Sequence, residues 1–183
     1  MAAEAALEAR GAENLSLRKL SRELGVSHAS PQRHFATKQD LLDALAITGF
    51  QRLGSALAKA TDSRGGDFHK RLTAACVAYV GFAARHPALF ALMFQAKRRP
   101  EMRTDLRAAV IAAFSHIPRI LHEGQESGQI IAGNPHDLAL TLGAALQGLL
   151  AMSIDGKIRD VELKKIVPQV VQHVLNGLST KRA

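Results

Sequence analysis

Tryptophan is missing from this 183-residue chain, tyrosine and cysteine occur once each, at Tyr79 and Cys76, and aromatic residues make up only 4%. Runs of β-branched and aromatic residues that would build strands are scarce. A lone cysteine excludes an intramolecular disulfide and fits a reducing cytoplasm. No stretch of about 18 consecutive apolar residues is found, so no transmembrane helix and no membrane partner is expected. Met1 to Arg10 lacks the basic start and leucine-rich core of a secretory signal. Also lacking are a Gly-rich phosphate loop, a nucleophile paired with a base, and a ligand set with metal spacing, so neither an enzyme nor a cofactor is expected. His116 and His122 stand six apart, off one helical face, and His69, His86, His136 and His173 read as caps or surface residues. Cys76 reads as a small buried hydrophobe.

What the chain does have is apolar residues at helical spacing. Hydrophobic residues are 47% of the sequence, with Ala and Leu prominent, which predicts an all-α protein large enough for one or two small domains. The net charge is +8, as for a partner of polyanions, but it is unevenly spread. Residues 1–52 carry seven basic and six acidic side chains. Within 16–38, Arg18, Lys19, Arg22, Arg33 and Lys38 stand against Glu23. Further basic clusters are Lys97, Arg98 and Arg99 with Arg103 and Arg107, and the C-terminal tail; solvated helix surface accounts for these equally well.

The most informative stretch is 17–38, LRKLSRELGVSHASPQRHFATK. Ser16 is placed as an N-cap, and Leu17, Leu20 and Leu24 form one apolar stripe. Gly25 follows where a helix closing in the left-handed region wants glycine. Val26 plugs the junction, Ser21 gives a crossing helix room, and Ser27 caps a second helix over 28–35. Phe35 closes its apolar face. Thr37 and Asp40 then have capping-box spacing for a third helix, and Lys38 sits at that helix's positive end, where it can hold a phosphate. Two short helices around a glycine turn, the second exposed for reading, match a helix-turn-helix.

The segment GVSHASPQRHFATKQDLLDAL resembles the DNA-binding region of the TetR family of bacterial transcriptional regulators. The match covers Ala5 to about Leu53 and is most specific over Gly25 to Leu42. The family typically has tyrosine at the position of Gln32 and often leucine at that of Pro31; proline in a first helical turn is tolerated. Its first helix usually begins several residues earlier, so either the start was assigned late or the first helix is shortened; a shortened helix would give less apolar cover and fewer phosphate contacts. The resemblance implies a sequence-specific DNA-binding regulator, by default a repressor whose DNA affinity a small apolar effector lowers. A dimeric helical interaction protein that has lost DNA binding is the competing reading. The reader helix would present Ser27, His28, Ala29 and Ser30 to the major groove, Ala29 offering only a methyl contact. Gln32 and Arg33 would reach base edges or phosphate, while His34, Lys38, Ser16 and Arg18 would hold the backbone.

About nine helices are expected, in a DNA-binding domain over 1–46 and an effector-binding and dimerisation domain over 47–183. Beyond the reader, helices are predicted over 38–61, 68–85, 88–95, 103–127 with a kink or split at Pro118, 135–154, and 161–178 with a bend at Pro168. ARHPALFALMF resembles a segment common in one C-terminal subgroup of the family. Tyr79, Phe82, Phe90, Met93, Phe94, Phe114, Ile117 and Leu121 fall where the family holds its effector, with Leu146 beside them and Tyr79, His116 or Gln147 as polar contacts; plain core packing explains the same pattern. The last two long helices carry more apolar surface than a monomer easily buries. The resemblance implies that they form a four-helix bundle with their copies through Leu142, Ala145, Leu149, Val167, Val171 and Val174. Such a homodimer would set two reader helices about one DNA turn apart on a double-stranded operator.

Overall fold

A computed structural model of the protein describes residues 2–23, 35–62, 67–155 and 158–178. Among these residues nine helices and no strands are found: α1 Ala2–Arg10, α2 Leu17–Glu23, α3 Lys38–Thr61, α4 Phe68–Arg85, α5 Pro87–Lys97, α6 Thr104–Phe114, α7 His116–Glu126, α8 Pro135–Ile154 and α9 Asp160–Gly177. The predicted turn and reader helix, with Gly25, Ser27, His28, Ala29, Ser30, Gln32, Arg33 and His34, lie outside the described residues.

Helix ends follow local chemistry. α1 stops where Gly11 adopts a left-handed φ of 75° and donates its N–H to the carbonyl of Leu7. α3 opens on the expected reciprocal cap: the Asp40 carboxylate accepts from the Thr37 N–H (2.9 Å) and hydroxyl (2.8 Å), and Thr37 Oγ1 accepts from the Asp40 N–H (3.1 Å). α8 opens on Asn134, whose side chain accepts from the His136 N–H at 3.0 Å, with Pro135 in the first helical position. The predicted 103–127 helix is split between Phe114 and His116, and Pro118 lies in the first turn of α7. A proline ring clashes with the carbonyl four residues before it, which here is that of Phe114, so the break falls upstream of the proline itself. α9 runs unbroken through an exposed Pro168.

The chain forms two compact units, and each is discontinuous. The first comprises residues 1–52 and 85–112, the second 53–84 and 113–183. The sequence division at 46/47 therefore falls inside a helix, and α5 with most of α6 joins the N-terminal segment rather than the later helices. In the first unit α1 packs on α2 and α5, around Leu7, Leu41, Phe50, Leu89, Met93 and Leu106. In the second, α8 packs between α7 and α9, around Leu53, Leu57, Leu72, Ile120, Leu121 and Val171.

Candidate nucleic-acid and effector sites

α2 turns Arg18, Lys19 and Arg22 to solvent, and Ser16 is exposed just before it. Lys38, at the start of α3, donates to the carbonyl of Glu13 at 2.6 Å. An ammonium has three donors, so Lys38 keeps two for a phosphate oxygen while this bond ties it to the turn between α1 and α2. Asp40, having capped α3, also accepts Arg103 at 3.3 Å. One turn on, Asp43 is only 3% exposed and takes Arg99 together with the Gln39 amide at 2.8 Å. Burying a carboxylate without such partners would cost several kcal/mol. Arg103 is held as a fork by Asp105, at 3.1 and 2.7 Å; this pairing lowers the Asp105 pKa and raises that of Arg103.

α1 is joined to α5 by charge. His86 is the N-cap of α5 but makes no side-chain cap. Glu8 supplies one from 80 residues away: its two oxygens accept the N–H groups of Ala88 at 3.0 Å and Leu89 at 3.1 Å. A carboxylate there also meets the positive end of the helix dipole. Glu4, on the same face one turn earlier, pairs with Arg52 at 2.6 Å, and Arg52 in turn meets His86 Nε2 at 3.0 Å. Sequence reasoning missed Glu4, Glu8, Arg52, Asp43 and Arg99, because each finds its partner 34 to 81 residues away and no spacing marks the pair.

The predicted effector residues are divided between the units. Tyr79, Phe82, Phe114, Ile117, Leu121, Leu146 and Gln147 belong to the second. There Tyr79 is 7% exposed, its ring centroid is 6.4 Å from that of Phe114, and its hydroxyl accepts from the Gln147 amide at 3.1 Å. Burial pushes the Tyr79 phenol pKa up, opposed in part by that hydrogen bond. Phe82, Leu121 and Leu146 are buried. Phe90, Met93 and Phe94 belong to the first unit. Phe94 lies 4.6 Å from Phe90 and 6.2 Å from Phe50, with the Lys97 ammonium 5.6 Å above its ring. Met93 is fully buried against Gly49. His116 is half-buried on α7. Among the described residues no three His, Cys, Asp or Glu side chains are grouped to hold a metal ion.

The residues expected at a dimer face differ in how open the single chain leaves them. Leu142 and Leu149 on α8, and Val167 and Val171 on α9, are buried in the single chain, whereas Ala145 and Val174 are half-buried. α8 carries a second apolar stripe, and that one is open: Leu140 is 72% exposed and Ile154 82%, with Ala144, Ala151 and Met152 also exposed. α8 is long and apolar enough on average to meet the length and composition of a membrane span, but it holds no unbroken run of about 18 apolar residues. Helical periodicity identifies which residues share a face; it does not say which of two apolar faces meets the core.

Comparison with known proteins accounts for this arrangement. Residues 1–45 match the family described as bacterial regulatory proteins, tetR family, and residues 72–174, more than half the chain, match the tetracyclin repressor-like C-terminal domain. A protein of unknown function from Rhodococcus sp. RHA1 is 36% identical, with a TM-score of 0.89 over 97% of this chain and 92% of its own. The TetR family transcriptional regulator PfmR from Thermus thermophilus shares the fold at 19% identity, with a TM-score of 0.75 over 99% and 97% of the two chains. The fatty acid degradation regulator FadR from Bacillus halodurans does so at 19% identity and a TM-score of 0.74, over 99% and 94%. No curated protein matches the sequence. The N-terminal and C-terminal matches together define a DNA-binding transcriptional regulator and not an enzyme. The chain belongs to the tetR family of bacterial regulatory proteins, whose members bind operators and small-molecule effectors and typically dimerise.

Proposed function

We propose that the protein is a homodimeric repressor that leaves its operator when a small, largely apolar effector binds near Tyr79 and Gln147. The observation that carries this reading is the Glu8 cap. The first helix of the DNA-binding segment terminates the positive end of α5, so a shift of α5 acts directly on that segment. A coupling of about 3 kcal/mol would change operator occupancy about 150-fold. The functional division remains near 46/47, with Ser27, His28, Ala29, Ser30, Gln32 and Arg33 reading bases and Ser16, Arg18, His34 and Lys38 on phosphates. The effector would rest on Phe82, Phe114, Ile117 and Leu121 and hydrogen-bond the Tyr79–Gln147 pair. Two copies would meet through the open stripe of α8 at Leu140, Ala144, Ala151 and Met152, joined by Val174 of α9.

The test is a salt titration of binding to the DNA flanking its own gene, beside an Arg33→Ala/Lys38→Ala variant. Expected is specific binding by the wild type that weakens steeply with salt and is lost in the variant. Absence of duplex binding at any salt would leave the interaction-protein reading in its place.

A further inference from the structure

Within the basic cluster at 97–107, Arg98 and Arg107 take no part in the contacts described above. Arg99 and Arg103 are committed to Asp43 and Asp40, and so fasten this segment to the first turns of α3. That turn begins at Thr37, two residues after Phe35 closes the reading segment, and carries Lys38. Arg98 and Arg107 are exposed, and neither is in an ion pair among the described residues. Opposing acids are few: Asp40, Asp43 and Asp105 are consumed by Arg99 and Arg103, which leaves Glu101. Arg107 stands where the helix dipole does not favour it. It lies in the first turn of α6, its N–H bonded to the carbonyl of Arg103, at a helix end whose dipole disfavours cations.

From this we infer that Arg98 and Arg107 form a second contact to the DNA backbone, on phosphates flanking the bases read by the helix-turn-helix. The inference rests on the DNA-binding reading and adds a surface outside residues 1–46. The occupant is duplex DNA by charge complementarity and by place: two exposed arginines with no ion pair among the described residues, on a segment fastened to the Lys38 turn by two neighbouring ion pairs. Such contacts carry no sequence information; they raise affinity for every duplex and steepen its salt dependence.

The experiment compares full-length wild type, Arg98→Ala/Arg107→Ala and Arg98→Lys/Arg107→Lys on the gene-flanking duplex and on a scrambled duplex of equal length. Binding is followed by fluorescence anisotropy from about 50 to 200 mM salt, with a thermal melt of each protein. Removing one phosphate contact should make the slope of log K against log salt less negative by about 0.9, so roughly 1.8 per chain in the alanine pair. The effect should be equal on both duplexes, with melting unchanged, and the lysine pair should keep most of the slope. An alanine-pair slope equal to the wild type's, or a lysine-pair change as large as that of the alanine pair, overturns the inference while the regulator stands. A wild type that binds no duplex overturns both.

Discussion

Glu8 does two jobs through one carboxylate. It satisfies two backbone donors of α5 that His86 leaves without a side-chain acceptor, and it places a negative charge at that helix's positive end. Replacing a capping acceptor by alanine costs about 1 kcal/mol. Glu8→Ala should therefore lower stability by about that amount in urea unfolding, and Glu8→Gln, which retains an acceptor, by less. An equal loss in both would mean that the charge, not the hydrogen bonds, sets the effect. Cys76 supplies a pH-dependent counterpart. Burial raises its thiol pKa from 9.0 to about 12. The unfolded chain gives up this proton first, so the folded state is the more protonated form as pH passes 9.0. Stability contributed here is full below that pH and is lost as pH rises towards about 12; Tyr79 acts in the same direction. The melting temperature should fall between about pH 9 and 12, and fall less steeply in Cys76→Ala.

At the scale of elements, α3 is notched twice. A Cβ at Gly54 would lie 2.9 Å from the Cα of Ala113 in α6, a backbone atom that cannot yield without moving the helix. At Gly49 it would meet the Met93 sulfur at 2.5 Å and Leu89 at 3.3 Å, groups on side chains that can rotate. Alanine is worth about 1 kcal/mol more than glycine inside a helix, whereas overpacking costs about 1–3 kcal/mol. Gly54→Ala should thus destabilise by about 1 kcal/mol or more, and Gly49→Ala by clearly less. The reverse order in denaturant midpoints would show that α6 shifts more readily than Met93 repacks. Helix ends were legible wherever their signals are local. The bounds of α3, α4 and α8 coincide with the sequence expectation because Thr37 with Asp40, Pro87 after His86, and Asn134 with Pro135 act within a turn of the boundary. A kink or split was expected at Pro118 itself; the break at Ser115, three residues earlier, follows from where the proline ring collides.

For the whole molecule, the proposed dimer places the open stripe of α8 at its interface. Leu140 and Ile154 are too exposed for a stable monomer surface to need them, and the inner stripe of Leu142, Leu146 and Leu149 is already spent on the chain's own core. A charge at the centre of an interface commonly costs about 2 kcal/mol or more, so Leu140→Glu should weaken self-association by about 2 kcal/mol, roughly thirtyfold, with helicity intact. Light scattering across a dilution series would show this, and an unchanged dimer would move the interface off α8. The same variant should bind a half-site as before and a full operator far less well, since two readers no longer arrive together.

What the sequence by itself determined is the part governed by neighbours along the chain: an all-helical fold, most helix ends, and the family of DNA-binding regulators, carried by the Gly25–Leu42 pattern. Hydrophobic period, caps and glycine turns act over a few residues, so they can be read in order. The tertiary structure decided which of two apolar stripes on α8 faces inward, and that α5 joins the N-terminal unit. It also decided that Glu8, Glu4 and Asp43 find their partners far along the chain. Those outcomes depend on which surfaces bury most area together and which buried charges must be met, and such choices are made only when distant segments compete for the same space.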